Sequence, residues 1–222
     1  MAQKYFSYVP NFEYVDRTPD NDNISEYTKV KNLFKRAKLR EDIFQNLNYF
    51  TKYQIIGDDR PDNVAYNLYG DANLDWLILL CNNIVNVETE WPMTQDSFDK
   101  YLTYKYGNEE TIQSVKYYET RDVKDSLGRT IIPRGLEVPS NFSVTYFDAG
   151  LKQSITTSNL NAVTNYDYEA NIQNEKRNIY VLKGRYVGLV IDDLETIMPY
   201  PEGSTQYVSD SLVKGDNIKL YT

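Results

Sequence analysis

The chain has 222 residues, with 24 Lys plus Arg against 32 Asp plus Glu, a formal charge of −8 and a pI near 4.7. That balance argues against a nucleic-acid or anionic-membrane binder, and the absence of histidine excludes imidazole catalysis, His–Cys dyads and His-ligated metals. The length suffices for one large or two small domains, and the single Cys81 excludes a disulfide framework and reads as a buried structural thiol.

The N-terminal residues contain no apolar signal region, and no run approaches the roughly 18 apolar residues that span a bilayer, so a soluble, unsecreted protein is expected. Residues 1–23 set Tyr5, Phe6, Tyr8, Phe12 and Tyr14 among Pro10 and Pro19 with no helical period. Such a segment cannot easily build its own core; it reads as an arm that packs on the body of the chain or, the favoured reading, on a neighbour. The run DNDN at 20–23 lacks the Gly and closing Glu of a calcium loop. The 21 tyrosines suit interfaces that stay partly wet, or a β-rich core.

Residues 24–48 are ambiguous. Val30, Leu33, Phe34 and Ala37 have helical spacing, while Lys35, Arg36, Lys38 and Arg40 form a basic ribbon that suits a strand equally well. The ribbon is the sharpest charge contrast in an acidic chain, either a docking strip for an acidic subunit surface or, more commonly, a solvated charged face. The alternating run YFTKYQII at 49–56 reads as a strand ended by Gly57-Asp58-Asp59, and Pro61 can open a helix. Val64, Ala65, Leu68 and Tyr69 share one face of that helix, with Gly70 as its stop. Asn73 is the expected N-cap of a second helix in which Leu74, Leu77, Ile78 and Cys81 follow at helical spacing, with Trp76, Leu79 and Leu80 on the flanks. A helix apolar nearly all round must be covered by other chain or by another protein.

Strand, Gly-Asp turn, helix ending Tyr69-Gly70, and second helix ending Asn82-Asn83-Ile84 resemble the opening of a LysM domain, the βααβ module that binds N-acetylglucosamine polymers. More narrowly, GDDRPDNVAYNLYG, DANLDWLILLCNNI and the following Glu90-Trp91 resemble the LysM-like wedge protein 53 family of the baseplate in T-even-type contractile-tail phages. After Ile84 the sequence VNVETEWPM departs from a LysM closing strand; a distant candidate for that strand is 213–220, with Ile218 and Leu220 alternating after Gly215.

A helix is expected over 94–106, with Thr94 as N-cap, Phe98, Tyr101 and Leu102 on one face and Gly107 as the stop. Residues 111–161 read as an antiparallel meander of short strands separated by turn residues. A polar helix is expected over 163–178, a strand over 179–182, an amphipathic helix over 186–198 ended by Pro199, and a tail over 200–222. The fold class is α+β: an arm and basic connector (1–48), a LysM-like βαα(β) core (49–107), an antiparallel β-rich subdomain (108–161), and a C-terminal helix plus tail (162–222).

Chemistry is sparse. Asp192 and Asp193 diverge by about 100° on a helix, Asp58 and Asp59 suit a helix N-terminus, and no Walker, GxSxG or GxGxxG motif occurs. No enzyme, cofactor or metal is expected. The resemblance implies a structural baseplate wedge subunit, present in several copies in the virion and assembled in the host cytoplasm. It would join wedge subunits to one another and to hub and sheath-initiating proteins, with no nucleic acid or membrane partner. The alternative is a LysM-type peptidoglycan- or chitin-binding module, weakened because Arg60-Pro61 stands where a small hydroxyl residue and Leu usually follow Gly-Asp; a lysozyme-like tail enzyme ranks last. The expected contact rim is Gly57, Asp58, Arg60, Pro61, Asn82, Asn83 and Ile84. Trp76 and Trp91 are core or interface anchors, and Tyr5, Phe6, Tyr8, Phe12 and Tyr14 are arm contacts.

Overall fold

Residues 50–54 find their strand partner in residues 178–182, and that return divides the chain. The computed structural model describes residues 4–15, 27–203 and 206–215. One unit comprises 1–90 with 178–222, and the other comprises 91–177. The expected boundary at 48 falls inside the first unit, and those at 107 and 161 inside the second.

The first unit opens with α1 (Tyr5–Tyr8), β1 (Asn11–Val15), β2 (Tyr27–Lys31), α2 (Glu41–Phe44), β3 (Phe50–Gln54), α3 (Pro61–Tyr69), α4 (Asp75–Cys81) and α5 (Val87–Glu90). The second holds α6 (Gln95–Tyr106), α7 (Glu109–Gln113), β4 (Val115–Thr120), β5 (Val123–Lys124), β6 (Thr130–Ile132), β7 (Glu137–Val138), β8 (Val144–Asp148), β9 (Gln153–Thr157), β10 (Leu160–Thr164) and α8 (Asn165–Lys176). The chain then returns to the first unit as β11 (Asn178–Leu182), α9 (Val187–Ile197), β12 (Tyr207–Ser209) and β13 (Leu212–Lys214). No described helix is long and apolar enough to cross a membrane.

In the first unit β3 and β11 pair antiparallel, Asn178 opposite Gln54 and Leu182 opposite Phe50. Ile179 and Val181 turn inward while Tyr180 faces out, the period-2 pattern of a half-buried strand. This differs from the expected closing strand. Val213 and Lys214 lie in β13, which runs parallel to β1, and Ile218 and Leu220 fall outside the described residues. Pro61 occupies the first turn of α3, where its missing N–H is harmless, and Gly70 ends that helix at φ +76°. The expected N-cap of the next helix also shifts. Asp71, not Asn73, does the capping: its carboxylate accepts the Asn73 N–H at 3.0 Å and holds a 3₁₀ turn, Ala72–Leu74, that leads into α4.

The described part of the expected arm packs on its own chain. β1 is an inner strand of a four-stranded sheet ordered β12-β13-β1-β2, so the expected tail also carries two of these strands. Gly215 continues β13 and donates to the Glu13 carbonyl at 2.6 Å. A Cβ there would stand 2.3 Å from the Phe12 ring, so any other residue would force that ring to shift. The DNDN run at 20–23 falls outside the described residues. The described part of the 24–48 segment resolves its ambiguity without a long helix: Val30 is in β2, Leu33 and Phe34 sit in a turn, Ala37 and Leu39 are buried in alternation with exposed Arg36, Lys38 and Arg40, and Ile43 is buried in α2.

The second unit begins with α6, capped by Thr94, which accepts the Ser97 N–H, and ended at Gly107. Phe98, Leu102 and Ile112 form a core cluster against Tyr101, Tyr106, Tyr166 and Ala170. Helix α8 starts with a capping box in which Thr164 and Asp167 satisfy each other's backbone N–H. The strands make three small antiparallel sheets, β10-β4-β7, β5-β6 and β8-β9. Buried carboxylates set two hairpin turns. Asp125 accepts the Leu127 and Arg129 N–H groups and pairs with the Arg129 guanidinium at 2.6 Å. Asp148 accepts the N–H groups of Ser126, Gly150 and Leu151 and the Ser126 hydroxyl, which ties one turn to the other.

Glu169 on α8 is also buried, and it was unremarked in the sequence because a lone Glu in a polar helix reads as exposed. It accepts from Lys105 Nζ at 2.7 Å, the Tyr106 hydroxyl at 2.8 Å and the Tyr101 hydroxyl at 3.2 Å, all on α6. Burial raises its pKa, but the Lys105 and tyrosine bonds outweigh burial and hold it below its ordinary 4.5. A depressed carboxyl contributes stability that is present above its unfolded pKa and lost as pH falls through the folded value. Asp148, held at about 2 chiefly by the Ser126 hydroxyl bond, adds a second loss at lower pH. Thermal unfolding followed by circular dichroism should therefore show a midpoint that declines below about pH 4.5. Glu169→Gln should flatten the first part of that decline and cost about 2 kcal/mol at neutral pH; an unchanged pH profile in the variant would refute the assignment.

Candidate functional site

The end of α4 is built by Asn82-Asn83-Ile84. Asn83 takes the left-handed conformation at φ +53°, which asparagine tolerates better than most side chains. Its N–H donates to the Leu80 carbonyl at 3.2 Å, and the Ile84 N–H donates to the Leu79 carbonyl at 2.9 Å. This is a Schellman motif, completed by the apolar pair Leu79 and Ile84, which line one groove together.

Asn82 acts as a clip. Its Nδ2 donates to the Tyr180 carbonyl and its Oδ1 accepts the Tyr180 N–H, both at 2.8 Å, while Nδ2 also reaches the Ile78 carbonyl. Tyr180 is the residue of β11 opposite Lys52, and the amide side chain satisfies the edge groups that a further strand would otherwise take. The Tyr69 hydroxyl adds a bond to the Leu182 carbonyl at 2.8 Å, so both helices hold the returned strand. Cys81 is buried beside them, and burial pushes its thiol up to about 12, which leaves it unreactive at neutral pH.

Two grooves open on either side of a ridge made by Arg36 and Leu80. The first, about 350 Å³, is lined by Tyr5, Phe6, Leu33, Trp76, Ile84 and Val85 among others, with Lys35 at its margin. The second, about 400 Å³, is lined by Ala37, Lys38, Leu39, Glu41, Phe44 and Asn83. Arg36 Nη2 donates to Asn83 Oδ1 at 3.3 Å, which joins the basic ribbon to the helix terminus. Val85 is presented by the next turn, where the Glu90 carboxylate accepts the Val85 and Asn86 N–H groups at 2.6 and 3.0 Å.

Of the expected rim, Asn83 and Ile84 line these grooves and Asn82 is engaged within the chain. Gly57, Asp58, Arg60 and Pro61 line neither. Gly57, Asp58 and Arg60 lie between β3 and α3 and Pro61 opens α3, with Gly57 at φ +56°, Asp58 exposed, and Arg60 largely exposed and 3.2 Å from Asp62. A glycan slot between the two loops draws no support from this arrangement.

Trp76 is buried and borders the first groove; its ring lies 6.2 Å from Tyr5 and 6.0 Å from Tyr8. Its indole N–H has no hydrogen-bond partner among the described residues. Trp91 is buried in the second unit. Of the arm residues, Tyr5 and Phe6 line the first groove, Tyr5 also accepts the Ala37 N–H at 2.9 Å, and Phe12 and Tyr14 stack on each other in β1. Val85 and Phe44 went unnoticed because an isolated apolar residue among polar ones carries no period, and Leu33 read as part of a helical stripe rather than as a groove residue. The basic ribbon was the available signal.

A family model described as Base plate wedge protein 53 matches residues 4–130, a span that contains every residue lining both grooves. The chain is 31% identical over 77 residues to the baseplate wedge protein gp53 of Enterobacteria phage T4. That alignment takes in 30% of this chain and 39% of the T4 protein, well under two thirds of the relative's length.

Removing the clip should expose its importance to stability. Asn82→Ala leaves the Tyr180 groups unpaired and should lower the urea unfolding free energy by about 2 kcal/mol. Asn83→Gly keeps the left-handed cap and should be within about 0.5 kcal/mol of wild type, whereas Asn83→Val should cost about 1–2 kcal/mol. Equal stability of all three variants would show that the motif carries no weight.

Proposed function

Because the chain belongs to the base plate wedge protein 53 family, we propose that it is a structural, non-enzymatic subunit of a contractile-tail baseplate wedge, located in the virion. It acts through protein–protein contacts: it joins wedge subunits to one another and to hub and sheath-initiating proteins, in several copies per baseplate, after assembly in the host cytoplasm. The observation that carries this reading is the extent of the match, which spans the whole grooved face of the first unit.

The order strand, helix, helix, strand in β3, α3, α4 and β11 supports describing the first unit as LysM-like, with its closing strand delivered after the second unit. Here the module serves as a protein clip. The loop Gly57, Asp58, Arg60 and Pro61 forms a second contact, beside exposed Ile56 and Tyr66, 71% and 63% accessible.

Purified chain mixed with the other wedge proteins of its phage should co-sediment with them as a discrete complex. A chain that stays free in the presence of all wedge proteins would refute the role. Arg60→Ala should weaken incorporation about threefold to tenfold without moving the thermal midpoint, since its ion pair with Asp62 is solvent-exposed and worth little to the fold. Unchanged incorporation would remove the loop from the contact set.

A further inference from the structure

The grooved face carries both chemistries that a specific partner needs. Around the first groove Phe6, Leu33 and Val85 are 56%, 72% and 66% accessible, and in the second Phe44 is 52% accessible. Phe34, next to Leu33 in the same turn, is fully exposed. Apolar side chains gathered at two adjoining depressions, rimmed by charge, mark an interaction surface more strongly than scattered ones.

The charge on the ridge is unbalanced. Arg40 is neutralised by Asp42 at 2.9 Å and Asp193 at 3.2 Å. Arg36 meets the neutral amide of Asn83, and Lys35 meets the Pro199 carbonyl at 2.7 Å and stands 4.9 Å from the centre of the Tyr200 ring. Lys38 forms no ion pair among the described residues. Glu41 is the carboxylate in the lining of the second groove. Lys35, Arg36 and Lys38, none of which meets a carboxylate among the described residues, thus line apolar depressions in a chain of net charge −8.

We infer that this face docks an acidic protein segment whose apolar side chains enter the two grooves while its carboxylates meet Lys35, Arg36 and Lys38. This deepens the wedge reading, on which it rests for the source of the partner. Complementary charge sets register and association rate, and the grooves supply the desolvated anchors. A second copy of the chain is the disfavoured occupant, because two bodies of charge −8 repel one another.

The test uses the full chain and a displayed library of random dodecapeptides. Peptides selected on wild type should be rich in Asp and Glu and carry at least two of Leu, Ile, Phe or Trp. Synthesised and titrated by fluorescence anisotropy, they should bind Arg36→Glu/Lys38→Glu at least about tenfold more weakly, and more weakly in high salt. Leu33→Ser and Phe44→Ser, at exposed positions of separate grooves, should each weaken binding about threefold or more. Lys52→Glu, a single charge reversal on β3 away from the grooves, should change nothing. Selected peptides without acidic bias, or binding indifferent to the double reversal, would overturn the proposal. So would sedimentation showing self-association that the double reversal abolishes. None of these failures touches the family-based role, which stands or falls with co-sedimentation of wild type and wedge proteins.

Discussion

The first unit depends on one long-range pairing, the antiparallel contact of β3 with β11. A two-stranded sheet alone is marginal in water, so this pair must be held from outside its own ladder. The neighbouring helices do so with side chains. Asn82 at the end of α4 presents its amide to the Tyr180 backbone much as another strand would, and Tyr69 on α3 reaches the Leu182 carbonyl. The same pairing allows an excursion of residues 91–177 to be inserted without breaking the first unit, since the entropic cost of a longer loop grows only slowly with length.

The end of α4 links this scaffold to the surface. The Schellman motif sets a left-handed residue at position 83 and bonds the Ile84 N–H to the Leu79 carbonyl, and both residues line the first groove. The residues that close the helix therefore also shape both grooves, since Asn83 lines the second and meets Arg36. A binding face built on helix-terminus geometry is positioned by backbone hydrogen bonds rather than by loop conformation. That fits the proposed role of a structural subunit that holds neighbours in fixed relation. The buried carboxylates of the second unit are consistent with such a task, because Glu169, Asp125 and Asp148 are all engaged in fixing helices and turns.

Much of the local structure was legible in the sequence because the signals were local. Pro61, Gly70, Thr94 and Gly107 bound α3 and α6, and the i, i+3, i+4 spacing of Leu74, Leu77, Ile78 and Cys81 marked the buried face of α4. The partner of β3 was not legible from any local pattern. Both 178–182 and 213–220 alternate well enough to be strands, and only tertiary contacts select between them. The aromatic N-terminal segment read as an arm because its strand is completed by residues 212–214 at the far end of the chain. At the site, Asn82, Asn83 and Ile84 were found through the resemblance, but not the distinction between an internal clip and a groove lining. Leu33 and Phe34 mimicked a helix stripe and proved to be an exposed turn.

The most direct single measurement is amide hydrogen exchange on the isolated chain and on the same chain within an assembled wedge complex. In the isolated chain the Tyr180 amide should exchange with the slow core of the first unit, and on assembly new protection should concentrate at residues 33–45 and 79–85. A Tyr180 amide that exchanges as fast as the exposed turns, or assembly that leaves both segments unprotected, would contradict a clip-held scaffold that presents a docking face.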